Sequence, residues 1–325
     1  MRWLWFFPLI LFAYQGSTEE GSNPPWLTGP LIATSGNIVR SGHWNIEPYV
    51  YAFAHNSFYN NQWKSQSVDT LWNLHFRVPV WFGLTKWADV RVMPVWNWNY
   101  RNGAGCWALG DWNAQLDIQL HKDQLPHLSW WPSIKITIRE TFPTGKYQNL
   151  NPNKLGTDAG GRGAWMTTLI LGMSKILHCY GDHYLNLYFN GLYGIPTNVH
   201  VKGFNAYGGG YGANGTVHPE RVTQFNVAAE YTLTRNWALA CDVVGLWHSK
   251  TTFSGTAGLA ENPDENPAAL PAVNENQASI QYSLAPAIEY NWSNDLGLII
   301  GSWFTVAGKN SSHFSSAVVA LNYYY

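Results

Sequence analysis

The sequence predicts an all-β fold, a transmembrane antiparallel up-and-down β-barrel of about twelve strands. Three observations lead there. Only 12% of the 325 residues are charged, while 16% are aromatic, with 19 Trp and 18 Tyr. Beyond the N-terminus no stretch offers the ~18 consecutive apolar residues that a helical span requires. Apolar residues instead recur at every second position, which places them on one face of a strand and the polar residues on the other. Such a chain can present an apolar face to lipid and a polar face to a lumen without any long apolar run.

The chain opens with "MRWLWFFPLILFAYQG", one cation at Arg2 and then an apolar run over 3–13. Residues 1–16 are read as a signal peptide, with cleavage between residues 13 and 20; the competing reading is a short membrane anchor, for which the run is brief. No Cys follows the run. Residues 17–42, rich in Gly, Pro and Ser, are expected to be a periplasmic strap or a plug inside the barrel. The barrel itself is assigned to 43–325.

Strands are expected near 43–55, 67–84, 89–101, 111–121, 132–142, 164–177, 183–193, 221–233, 237–248, 278–291, 295–306 and 313–325. In "GDWNAQLDIQL", Trp112, Ala114, Leu116, Ile118 and Leu120 oppose Asp111, Asn113, Gln115, Asp117 and Gln119. "SIKITIRET" sets Ile134, Ile136 and Ile138 against Lys135, Thr137 and Arg139, and "HYLNLYFN" and "RVTQFNVAAEYTL" alternate likewise. "GAWMTTLILGMSKIL" alternates poorly. It is counted because omitting it would put the long loops on different sides of the membrane. An even strand number returns both termini to one side.

Connections after the even-numbered strands are mostly short ("TKWA", "HCYGD", "TRN", "WSND"), with "KDQLPHLSWW" the longest. Three connections after odd-numbered strands are long, and the last of them, 249–277, carries Glu261, Asp264, Glu265 and Glu275 and is expected to be a solvated surface loop. Short turns at one rim and long loops at the other are the outer-membrane pattern. Each short connection has an aromatic beside it. Trp44, Trp87, Trp130, Trp131, Tyr180, Trp237, Trp292, Tyr323 and Tyr325 are therefore assigned to an aromatic girdle at the short-turn rim. The terminal "SSAVVALNYYY" becomes the closing strand, with Tyr325, Tyr323, Leu321, Val319 and Ala317 facing out.

The faces opposite the apolar ones would line the pore: Glu47, Asn73, His75, Arg77, Asp89, Arg91, Asn97, Asn99, Asn113, Gln115, Asp117, Gln119, Lys135, Arg139, Asn186, Asn190, Gln224, Asn226, Glu230 and Asp242. Both signs occur among them and no ring of one sign is visible, so either a weakly selective conduit or a lumen closed by paired charges fits. A net charge of -1 excludes the basic excess of a nucleic-acid binder. Cys106, Cys179 and Cys241 and the scattered histidines lack metal-ligand spacing. No cofactor is expected. A catalytic alternative rests on "HFS", in which His313 and Ser315 share the outward parity of Tyr325; a His that reaches a Ser can act as its base. Chance alone produces such a spacing readily, and a non-enzyme is preferred.

Several stretches, "TGPLIATSGNIVRSGHWNIEPYVYAF", "GLTKWADVRV", "ETFPTGKYQNL" and "GTDAGG", resemble the bacterial outer-membrane family called the MetA-pathway of phenol degradation proteins. The resemblance runs from about Thr28 to the C-terminus. It implies a barrel passing small, often poorly water-soluble compounds and offers no catalytic motif. The expected function is passive passage of a small solute, hydrophobic or aromatic ones included, across the outer membrane of a Gram-negative-type bacterium. The remaining alternative is a structural or adhesive barrel acting through its long loops. The expected partners are outer-membrane lipid, the solute and, through the terminal strand with its aromatic end, the barrel-insertion machinery.

Overall fold

A computed structural model describes residues 26–123, 130–266 and 268–325. The signal-peptide assignment at 1–16 and residues 17–25 of the next segment lie outside them. Twelve antiparallel strands close into a barrel. Strands 1 to 4 are each interrupted once: Trp44–Ile46 with Tyr49–Tyr59, Ser65–Arg77 with Val80–Gly83, Ala88–Met93 with Val95–Arg101, and Ala104–Leu109 with Trp112–His121. Strands 5 to 12 run without a break: Ser133–Phe142, Met166–Tyr180, His183–Pro196, Val222–Thr232, Trp237–His248, Ser279–Asn291, Leu296–Lys309 and Ser311–Tyr324. Each strand pairs with the next, and strand 12 pairs with both pieces of strand 1, so the sheet has no free edge.

The interruptions have a local cause. Pro48, Pro79 and Pro94 sit at matching heights on strands 1, 2 and 3, and proline has no N–H to give to a ladder. The neighbouring backbone compensates: Glu47 N–H donates to the Pro79 carbonyl at 3.0 Å, Val78 N–H to Pro94 at 3.2 Å, and Leu321 N–H to Pro48 at 3.1 Å. Gly110 continues the row on strand 4. Its N–H bonds the Val95 carbonyl at 2.9 Å, and a Cβ there would lie 2.5 Å from the Val95 side chain.

Strand 4 begins at Ala104, not near 111. Asn102 and Gly103 have φ of 46° and 85°, the two left-handed residues of a tight hairpin turn, so strands 3 and 4 are joined by two residues. Asn310, φ 50°, makes a similarly abrupt turn before strand 12. The long loops are also more ordered than solvated loops would be. Val199–Lys202, Asn214–His218 and Thr252–Thr256 form a separate three-stranded sheet at the long-loop rim. The third of these strands corrects the reading of 249–277 as loop throughout. Val199, Val201, Tyr207 and Val217 bury a small core there with Ala164. Glu220 ties the loops together, pairing with Arg162 and His248 and accepting from Thr251 Oγ1 at 2.6 Å.

The period-2 faces are real in three dimensions. On strand 12, residues 317, 319, 321, 323 and 325 are exposed, while 316, 318 and 320 are buried. Leu116, Ile136, Ile138, Leu187, Val227, Val243 and Ile300 form part of an outer apolar belt. All nine aromatics assigned to the girdle are exposed, among them Trp130 at 91% and Tyr180 at 84%.

Candidate functional site: the barrel lumen

Strand parity turns one side chain in two toward the interior. Of the residues assigned to the pore, Asp89, Arg91, Asn99, Asn113, Gln115, Asp117, Lys135, Asn186, Asn190, Asn226, Glu230 and Asp242 are buried. Glu47, Asn73, His75, Arg77, Asn97, Gln119, Arg139 and Gln224 are half-buried on the same inner face. The lumen they share is neither uniformly polar nor empty.

Residues 26–40 run around the inner wall as a strap. Its backbone N–H groups meet side chains of successive strands. Thr28 donates to Glu289 at 3.0 Å, Gly29 to Glu230 at 3.0 Å, Ala33 to Asp242 at 2.7 Å, Thr34 to Asn190 at 2.8 Å, Gly36 to Ser174 at 3.0 Å, Ile38 to Gln119 at 3.0 Å and Val39 to Asp89 at 2.6 Å. A non-helical segment without a sheet partner must satisfy its donors somehow, and lumen carboxylates and amides do so here. Leu31, 1% exposed, points across the lumen onto Tyr51, Ile299 and Val318. Gly36 presses so closely on strands 5 and 6 that a Cβ would lie 2.2 Å from the Ser133 carbonyl oxygen. Both anchored ends lie near the short turns, since Asn291 also holds the Trp26 carbonyl at 3.1 Å. In the described part, residues 26–40 lie against inward-facing side chains of the wall.

Opposite the strap's anchors, strands 1, 2, 11 and 12 turn aromatics inward. Tyr49, Tyr51, Phe53 and His55 stack along strand 1, with ring centroids 5.8, 5.5 and 5.7 Å apart. Trp303 and Phe314 meet Phe53 edge-on at 5.8 and 5.4 Å, and the Trp303 indole N–H donates to Ser283 at 2.8 Å. This ladder leads from the long-loop mouth toward the strap. At the mouth a cavity of about 500 Å³ is lined by His55, Phe58, Asp69, Leu71, Arg101 and Ser312, among others.

The cations are gathered on one arc: Arg77, Arg91, Arg101, Arg139 and Lys135 come from strands 2 to 5, with Asp89 and Asp117 among them, whereas Glu230, Asp242 and Glu289 come from strands 8 to 10. A one-dimensional reading sees mixed signs; the closed sheet gathers the cations on one side of the lumen. Sequence reasoning passed over Glu289 and Arg101, which have the parity of inward neighbours, and Tyr51, Phe53, Trp303 and Phe314. The last four were missed because apolar residues were assigned to lipid by default.

His313 and Ser315 are not brought together as a dyad. His313 lies 3.4 Å from Ser65 Oγ and against the Tyr59 ring, and Ser315 is exposed on the outer face. Among the described residues no group of three or more His, Cys, Asp or Glu could hold a metal ion.

No family model matches the chain, and no curated protein matches it. Its fold is similar to that of an outer membrane channel from Pseudomonas putida F1, at 12% identity and a TM-score of 0.65, over 88% of this chain and 97% of that one. Looser likenesses join it to the CymD monoaromatic hydrocarbon channel (10% identity, TM-score 0.43, 87% and 88% covered) and to the NanC porin (8%, 0.41, 86% and 98%). At such identities the likeness is one of fold. A closed antiparallel barrel with an outward apolar belt belongs in the outer membrane.

Proposed function

We propose that the chain is an outer-membrane channel for passive passage of small solutes with an apolar or aromatic body, and that residues 26–40 act as its plug. The observation that carries this reading is how the strap is held. Its backbone N–H groups bond to side chains of seven different strands rather than to a sheet edge, so it closes the lumen without being part of the wall. Segments held this way can leave as a unit while the barrel stays shut, because every barrel strand keeps both neighbours. The aromatic ladder supplies the other half of the argument. It offers flat apolar contact along the inner wall above the strap, where aromatic faces stack at little entropic cost.

The motifs quoted above favour membership of the MetA-pathway of phenol degradation family, and a fold shared with a channel is consistent with it. The proposed partners follow: lipid around the apolar belt, the solute in the lumen, and the insertion machinery at the strand ending in Tyr323 and Tyr325. Catalysis by His313 and Ser315 is disfavoured by their geometry. The test is solute-dependent swelling of liposomes carrying the full chain, compared with a variant lacking residues 28–39. Swelling that rises several-fold on removing the strap supports a plugged channel. A variant that inserts, keeps the barrel and is no more permeable than the full chain would refute the plug.

A further inference from the structure

The lumen arginines are short of anionic partners. Arg77, Arg91, Arg101 and Arg139 all face inward, and among the described residues none makes an ion pair; the lumen's one ion pair, Lys135 with Asp117 at 3.7 Å, leaves them out. Their partners are neutral. Arg77 donates to the Tyr51 hydroxyl, Arg91 to Asn113 Oδ1 at 2.7 Å, and Arg139 Nε to Gln115 Oε1 at 3.1 Å. The Nε atoms of Arg77, Arg91 and Arg101 are buried with no partner at all. A guanidinium has five donors and cannot give up its charge, so buried ones are expected to be paired.

The nearby carboxylates do not fill the gap. Glu47 accepts from Asn45 and Tyr49; Asp117 accepts from Thr137 and Gln115 and faces Lys135; Asp89 is taken by the strap at Val39; and Asp69, at the mouth, accepts from Asn102. Glu230, Asp242 and Glu289 lie on the far arc, occupied by strap N–H groups.

The same arginines border the aromatic ladder. The Arg77 guanidinium carbon sits 4.5 Å from the Tyr49 ring centre and 4.7 Å from that of Tyr51, and Arg91 is 5.3 Å from that of Trp81. Arg101 lines the mouth cavity with His55, Phe58 and Leu71. Arg91 and Arg139 stand opposite Gln115 on neighbouring strands, in one row across the wall. From the mouth inward, cationic donors therefore accompany an aromatic surface.

We infer that the lumen recognises small aromatic carboxylates: the carboxylate is taken at the mouth by Arg101 and passed to Arg77 and then to the Arg91–Arg139 row, while the ring lies on Phe53, Tyr51 and Tyr49. A carboxylate answers the fork of a guanidinium with two parallel hydrogen bonds, and the ring gains stacking that an inorganic anion cannot. The inference refines the channel reading and rests on it for transport, though binding can be measured independently.

The test uses the full chain in detergent, titrated calorimetrically with benzoate and with benzamide, its neutral counterpart. Benzoate binding that exceeds benzamide binding, and that weakens by about tenfold in Arg77→Gln and in Arg101→Gln, is expected from the loss of one charge-assisted contact. Arg77→Lys, which keeps the charge without the fork, should fall between. Each variant is first checked for an intact barrel by its unboiled migration on a denaturing gel. Equal binding of benzoate and benzamide, or benzoate binding unchanged in folded Arg77→Gln and Arg101→Gln, overturns the inference. Liposome swelling separates the two levels. Benzoate that binds but never permeates, even without the strap, removes the channel and leaves the site; permeation with no preference for anions removes the anion path and leaves the channel.

Discussion

Glu220 shows how a single side chain governs the long-loop rim. Burial opposes its ionisation, yet the hydrogen bond with His248, the Arg162 guanidinium and the Thr251 hydroxyl together hold its carboxyl well below the usual range. A carboxyl whose native pKa is depressed adds stability that is complete above its unfolded value, about 4.3, and is lost as pH falls toward the native one. The loop sheet should therefore keep its order from pH 8 to about 5 and loosen below about 4. Glu220→Gln should loosen it already at neutral pH. Hydrogen exchange at Thr252–Thr256 measures this; equal protection in wild type and variant would show that Glu220 does not tie the loops. Nothing in the sequence marked this residue, because its partners come from the loop after strand 5, the end of strand 9 and the loop after strand 9. The inward arginines were visible by parity, but their lack of partners was not, since pairing depends on which strands become neighbours.

At the scale of elements, alternation was enough to place most strands to within a few residues. Trp237–His248 coincides with its expected bounds, and strand 6 is a strand despite its poor alternation. That strand departs from the pattern because Gly172 and Ser174 face the strap, where small residues leave room for it: a Cβ on Gly172 would lie 3.4 Å from the Ser35 carbonyl. The start of strand 4 was missed although Asn102-Gly103 is a strong hairpin signal, because Gly105 and Cys106 blur the faces that follow. The apolar belt makes a quantitative prediction. Val227, 54% exposed, pairs with Phe189 and Val243 in the middle of strand 8. Val227→Arg should destabilise the folded barrel in lipid by about 2–4 kcal/mol, the cost of a cation near the bilayer midplane. Reversible unfolding into denaturant from vesicles reports it. A cost under about 1 kcal/mol would place Val227 at an interface instead.

At the scale of the whole molecule, closure is the controlling feature. With strand 12 paired to strand 1, unfolding cannot begin by fraying an edge. The barrel should resist detergent at room temperature, so unboiled protein should migrate differently from boiled protein on a denaturing gel. Identical migration of the two would count heavily against a closed barrel. Closure also gathers the lumen cations on strands 2 to 5, where Asp89 and Asp117 accompany them, and brings strands 8 to 10 around as an acidic arc that the strap covers.

By itself the sequence determined the strand period, the even strand number, the sidedness of turns and loops, and hence the membrane the chain belongs to. These follow from local rules: side chains alternate along a strand, and lipid accepts apolar faces only in a closed sheet. Tertiary structure alone decided that residues 26–40 lie inside the lumen, that an aromatic ladder lines one wall, and that four inward arginines make no ion pair among the described residues. Those features arise between residues up to 294 positions apart, as in the bond from Asn322 Nδ2 to the Thr28 carbonyl. Alternation says which side of the wall a residue takes, but only closure says what stands across from it.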